Sequence, residues 1–284
     1  MSMRKKILLF AGLACTVLVL APTAATASPA PRPAIDTPPG YKTVSTKSIS
    51  LPNLTNKSAT AKCPAGTVVL SGGAFIASSS VQTGINASGP AGSTGWTAFV
   101  NNFSGAATTF NVYAVCATKP AGYAQASSGS VGNDAGTQTS VSANCPSSSD
   151  LVTGGGAAAD GRIMIDMTSS YPGAPTDWVA AVSNASPVNE NINAVAVCVS
   201  NTATGFSDYA LQPSAPAPDP SKKQQSITEA CIAGMPVGGG NQSSNITSVG
   251  VAMRGTRPFG PAWRAGENNN SPTGTHLTAW AICA

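Results

Sequence analysis

Three aspartates come closest to a catalytic constellation. Asp160, Asp166 and Asp177 form a local acidic cluster around the run Gly-Arg-Ile-Met-Ile-Asp-Met. Two carboxylates facing one glycosidic bond would make a glycoside hydrolase. Solvated carboxylates at strand ends account for the same residues without chemistry, and this second reading is favoured. A serine-hydrolase device would have to use His276, the single histidine, and no Gly-x-Ser-x-Gly elbow accompanies it. With one histidine and no Cys-x-x-Cys, no zinc site is expected. The glycine runs carry neither the following helix nor the lysine of a phosphate-cradling loop. Arg254, Arg257 and Arg264 gather in the last third of the chain, where they suit an anionic ligand or a solvated face. The expectation is a protein that is not an enzyme and holds no metal or cofactor.

The cysteines set a different pattern. Cys63 to Cys116, Cys145 to Cys198 and Cys231 to Cys283 repeat at offsets of 53, 53 and 52 residues. Trp96, Trp178 and Trp263 each lie 20 residues before the second cysteine of their pair, and Asn102, Asn184 and Asn269 each lie six past the tryptophan. Two pairings respect the symmetry: within each repeat, or cyclically as Cys116–Cys145, Cys198–Cys231 and Cys283–Cys63. The first is favoured because it lets each repeat close on itself, and in the chain-entropy model each loop is worth roughly 4 kcal/mol.

With Cys15 set aside in the N-terminal apolar run, six of the seven cysteines remain; an even set implies an oxidising compartment, and the first residues agree. Arg4, Lys5 and Lys6 precede an apolar run from Ile7 to about Ala21, and Ala25-Thr26-Ala27 offers a cleavage site. The run is too short for a membrane span. Cleavage after Ala27 is expected, with a secreted mature chain and no membrane contact. Of 15 basic and 11 acidic side chains, three basic ones leave with the signal, so the formal charge falls from +4 to +1. No basic patch speaks for nucleic acid. Residues 28–40 are Pro-rich and read as a disordered leader. Tyr41, Tyr123 and Tyr209 each stand 22 residues before a cysteine and open repeats at 41–122, 123–208 and 209–284.

No stretch has helical periodicity, and Gly and Pro punctuate alternating apolar runs, so the chain is all-β. Strands are predicted in the first repeat at 42–50, 57–62, 67–76, 80–87, 95–102 and 108–117. Phe110, Val112, Ala114 and Cys116 alternate inward. Trp96, Trp178 and Trp263 are read as core anchors. The glycines at 72–73, 154–156 and 238–240 let a strand bulge or run beneath an aromatic ring. Asn102, Asn184 and Asn269 are expected in turns needing positive φ and are the candidate ligand-binding residues. Ser88 with Pro90, and Ser170 with Pro172, mark an expected turn before the Trp strand.

On Cys63-Pro-Ala-Gly66, Gly95-Trp96, Tyr113-Ala-Val-Cys-Ala117 and Gly122-Tyr123 the chain resembles a repeat found in many secreted actinobacterial proteins. The likeness spans nearly the whole mature chain and implies no activity. Its third copy departs most, with Ile232 in place of proline. In layout, three sheet-forming repeats are similar to vitelline membrane outer layer protein I, a three-fold β-prism, although its sequence motifs do not occur here.

Two architectures follow: a β-prism with one shared core, or three tandem small sandwiches. Repeats this short are poor independent cores, which favours the prism. The preferred function is a monomeric secreted binding protein for neutral polysaccharide or cell-wall glycan, its three polar loop sets acting together. The alternatives are a ligand-free structural envelope protein and a carbohydrate-active enzyme.

Overall fold

The computed structural model describes residues 37–159, 164–245, 247 and 249–284. The expected signal peptide, the leader up to residue 36 and Asp160 lie outside them. The first repeat forms β1 (Lys42–Ser45), β2 (Ile49–Leu51), β3 (Thr55–Lys62), β4 (Thr67–Ile76), β5 (Thr83–Pro90), β6 (Gly95–Asn102) and β7 (Thr108–Thr118). The second forms β8 (Ala124–Ser127), β9 (Val131–Asn133), β10 (Gln138–Asn144), β11 (Asp150–Ala159), β12 (Ile165–Ala174), β13 (Asp177–Asn184) and β14 (Glu190–Ser200). The third forms β15 (Ala210–Pro213), β16 (Ala217–Asp219), β17 (Lys223–Ala230), β18 (Pro236–Ser243), β19 (Val251–Phe259), β20 (Ala262–Asn269) and β21 (Thr275–Cys283).

These strands make three seven-stranded antiparallel sheets, and no sheet belongs to one repeat. Sheet A runs β1-β7-β4-β19-β20-β17 with β2 beside β7; sheet B runs β3-β6-β5-β11-β14-β8 with β9 beside β14; sheet C runs β10-β13-β12-β18-β21-β15 with β16 beside β21. Each repeat therefore splits. Its β4-type hairpin enters one sheet and its β5-type hairpin the next, because the connection between them turns a corner. The split leaves an unpaired edge on each inner strand, and a neighbouring repeat fills it: β5 meets β11, β12 meets β18, and β19 closes the ring on β4. A sheet that closes within its own repeat, as the cysteine frame suggested, does not occur. Buried side chains from all three repeats form one apolar cluster, which excludes three separate sandwiches.

The bridges are Cys63–Cys116, Cys145–Cys198 and Cys231–Cys283, with Cα separations of 5.7, 5.8 and 5.6 Å. The cyclic pairing is not formed. Each bond joins the end of a strand in one sheet to a strand in the next, so the three together tie A to B, B to C and C to A.

Trp96, Trp178 and Trp263 are essentially fully buried. Each indole lies against a glycine of its own repeat in the adjoining sheet. A Cβ on Gly72, Gly155 or Gly239 would sit 2.4 Å from the Cγ of Trp96, Trp178 or Trp263 respectively. Each indole Nε1–H donates to a hydroxyl, on Ser88 (2.8 Å), Ser170 (2.9 Å) and Thr256 (2.7 Å). Ser88 and Ser170 lie within β5 and β12, where a turn was expected, and Thr256 lies within β19; a buried indole needs an acceptor, and a strand passing over it places one there. The leader also differs from expectation. Residues 37–40 belong to the fold: Tyr41 donates its N–H to the Pro38 carbonyl, Thr118 donates to the Pro39 carbonyl, and Pro38 is buried.

The third repeat breaks its own core. Glu267 pairs in β20 where Val100 and Val182 stand in β6 and β13, four residues past each tryptophan. It is fully buried, as is Asp219 of β16. Thr275 Oγ1 donates to Glu267 Oε1, while Glu267 Oε2 and both Asp219 oxygens have no hydrogen-bond partner among the described residues. The apolar clusters around Trp263 and around Leu277 are correspondingly cut off from the main core.

Candidate functional site

The last glycine of each run, Gly73, Gly156 and Gly240, sits at the middle of a sheet, where a Cβ would strike the carbonyl oxygen of Thr256, Ser88 or Ser170 on the neighbouring strand. The register puts Gly73 between Arg257 and Tyr113 in sheet A, Gly156 between Gly89 and Val195 in sheet B, and Gly240 between Tyr171 and Trp280 in sheet C. These are equivalent positions of the three repeats: Gly89, Tyr171 and Arg257 each pair with the residue after the Trp, and Tyr113, Val195 and Trp280 each lie three before the second Cys. One backbone frame thus carries three different surfaces.

In sheet C a Cβ on Gly240 would meet the Ser170 carbonyl oxygen at 2.2 Å and Tyr171 Cα at 2.7 Å, so glycine lets β12 approach β18 closely, and two rings lean together across it. Tyr171 of β12 and Trp280 of β21 have centroids 6.0 Å apart and planes within 22°. Both are half-buried. Gln242 of β18 holds them: Trp280 Nε1–H donates to its Oε1 at 2.9 Å, and its amide bonds the Tyr171 hydroxyl. Burial pushes the Tyr171 phenol up, the nearby Asp177 carboxylate adds to this, and the Gln242 bond opposes both. The phenol stays protonated in neutral solution, with its O–H able to donate. The arrangement is a rigid, partly exposed aromatic surface with a polar margin. Sheet B carries a shallow groove of about 130 Å³ over Gly89, Pro90, Phe99 and Val195.

Sheet A carries Arg257 in the place of Tyr171, and Tyr113 in the place of Trp280. Arg254 and Arg264 flank it, with Phe75 and Phe259 between them.

A larger pocket, of about 420 Å³, opens where the first residues of β5, β12 and β19 converge on the pseudo-three-fold axis. The equivalent residues there are Gly84, Asp166 and Ala252; a Cβ on Gly84 would meet the Asp166 carboxylate at 2.2 Å and Ala252 at 3.0 Å. Asn101 Nδ2 donates to Asp166 Oδ1 at 3.1 Å. Burial raises the Asp166 carboxyl to about 6, and the Asn101 bond only partly offsets it. Asp177 pairs with Ala174 at the far end of the same hairpin. Six positions of β13 separate Asp177 from Ser183, the residue opposite Asp166, roughly 20 Å at the strand rise, so the two aspartates do not flank one bond.

Asn102, Asn184 and Asn269 are fully buried. Each Nδ2 donates to loop carbonyls, including those of Ala106, Val188 and Thr273, and each Oδ1 accepts from the N–H and O–H of Ser104, Ser186 or Ser271. None has positive φ. These amides hold the turns through side-chain bonds, and their hydrogen-bonding capacity is spent inside the protein. His276 is exposed on β21.

Tyr171 and Trp280 were not singled out by the sequence pattern, which followed features common to all three repeats. The available signal was the fourth tryptophan, three residues before Cys283 and outside the repeated frame. No protein-family model matches the chain, and no curated protein matches it either.

Proposed function

We propose that the chain is an exported, disulfide-tied protein that binds neutral glycan on the outer face of sheet C. The observation that supports this reading is the Tyr171–Trp280 pair, locked by Gln242 across Gly240. Aromatic rings offer apolar surface to the C–H faces of a sugar, and a tethered phenol and amide offer hydrogen bonds to its hydroxyls. Because packing and the Gln242 bridge already fix both rings, little side-chain entropy is lost on binding. The charge-poor surface suits a neutral partner.

The test is pull-down and calorimetry against insoluble and soluble neutral glucans and chitin, with a hydrolysis screen on the same samples. Tyr171→Ala and Trp280→Ala are each expected to weaken binding tenfold or more, with the three disulfides and the fold retained. Failure of every neutral glycan to bind the unaltered protein would remove the proposal in favour of a ligand-free structural role. Product release in the screen would return the enzyme reading.

A further inference from the structure

We infer that the outer face of sheet A is a second binding site, for the oxyanion of an acidic polysaccharide. It stands whether or not sheet C binds neutral sugar, because it uses other residues on another sheet. Arg254, Arg257 and Arg264 place their guanidinium carbons 5.0, 4.9 and 5.9 Å from the centroid of one ring, Phe75. Arg257 also lies 5.2 Å from Tyr113 and 5.1 Å from Phe259, and Arg264 lies 5.4 Å from Phe259. Three like charges are therefore gathered on one patch of sheet. The Nε–H of each is buried and makes no hydrogen bond among the described residues. A side-chain bond from Arg254 runs to the Ser226 hydroxyl, at 3.4 Å. Burial and then the Arg264 charge lower the Arg254 pKa.

Stacking on rings fixes guanidinium groups and removes water from their faces, but it leaves the Nε–H of each without an acceptor. A phosphate, sulfate or carboxylate supplies the missing counter-charge, and arginine pairs with each in bidentate fashion. The equivalent positions argue for a dedicated site. Sheet B has Gly89 and Thr97, and sheet C has Tyr171 and Val179, where sheet A has Arg257 and Arg264. The frame itself does not need the arginines. Beyond the cluster the row ends in hydroxyl residues, Thr228 beside Arg264 and Ser45 beside Tyr113. A nucleic acid would call for a longer basic track than three arginines on a chain whose formal charge is only +4. A local anion on a polymer of hydroxyl-bearing units fits better.

Binding would be measured for polygalacturonate, heparin and a glycerol-phosphate polymer, with dextran and duplex DNA alongside, at low and high salt. At least one acidic glycan is expected to bind, and to bind more weakly as salt rises. Arg257→Gln is expected to weaken it roughly tenfold or more, and the triple Arg254→Gln, Arg257→Gln, Arg264→Gln variant to abolish it. Arg257→Lys keeps the charge without the fork and is expected to recover only part of the affinity, so the proposal remains testable if the triple variant misfolds. Trp280→Ala is expected to leave acidic-glycan binding unchanged. Three results would overturn the inference: no acidic glycan bound, binding retained by the triple variant, or duplex DNA bound as tightly with the same arginine dependence.

Discussion

Glu267→Gln tests the buried carboxyl pair in the third repeat. Glu267 and Asp219 face each other inside the protein, and three of their four oxygens lack a donor among the described residues. A proton shared between them supplies one. Burial first, and then the charge of Glu267, push Asp219 from an ordinary 3.8 up to about 8, and burial also raises Glu267. A folded-state pKa above the unfolded one means that stability is complete below about pH 4 and is lost as pH rises towards about 8. One retained proton makes that loss about 1.4 kcal/mol per pH unit, or about 2.7 kcal/mol across two units inside the window. The amide introduced by the substitution would keep the acceptor for Thr275, present an N–H to Asp219 and remove the repulsion. Urea unfolding with the disulfides intact, repeated at about one-unit steps across this range, should show the unaltered protein weakening more steeply than the variant as pH rises. Asp166, also raised, adds a slope common to both proteins, so their difference isolates the pair. A stability that is flat or rising with pH in the unaltered protein, or identical slopes in the two, would refute the reasoning.

Gly72→Ala should destabilise the fold by roughly 1–3 kcal/mol or more, since its Cβ would lie 2.4 Å from both Trp96 Cγ and the Tyr113 carbonyl oxygen; an unchanged melting temperature would show that Trp96 is not held as described. Asn184→Ala removes donors to the Asn133 and Val188 carbonyls and the acceptor for Ser186. The expected cost is roughly 2–3 kcal/mol, with limited proteolysis cutting first between residues 184 and 190.

The strands were largely legible because alternation is local. Phe110, Val112, Ala114 and Cys116 all point inward and are fully buried, and β4 and β6 have the predicted limits. Spacing narrowed the disulfides to two symmetric pairings, of which the favoured one forms, and marked the glycines as places to bulge or run beneath a ring, since repetition multiplies a weak signal by three. What could not be read was which strands share a sheet. The partner of β4 is β19, across most of the chain, and nothing in either segment names the other. Differences between repeats were also hidden, because a frame is found by what recurs. Arg257, Gly89 and Tyr171 occupy one position in that frame and share no property. Asn102 was read by residue type as a φ > 0 turn residue, but its side-chain bonds, which depend on Ser104 two residues on, fasten the turn instead.

Pairing of β4 with β19 also orders events during synthesis. The first third of the chain leaves the ribosome with a bare sheet margin whose natural complement has yet to be made. Such a margin is sticky towards any extended segment it meets, and contacts this distant in sequence form slowly. A nascent molecule must therefore keep its first hairpin unspent until the last third arrives, and two molecules at the same stage could complete each other instead.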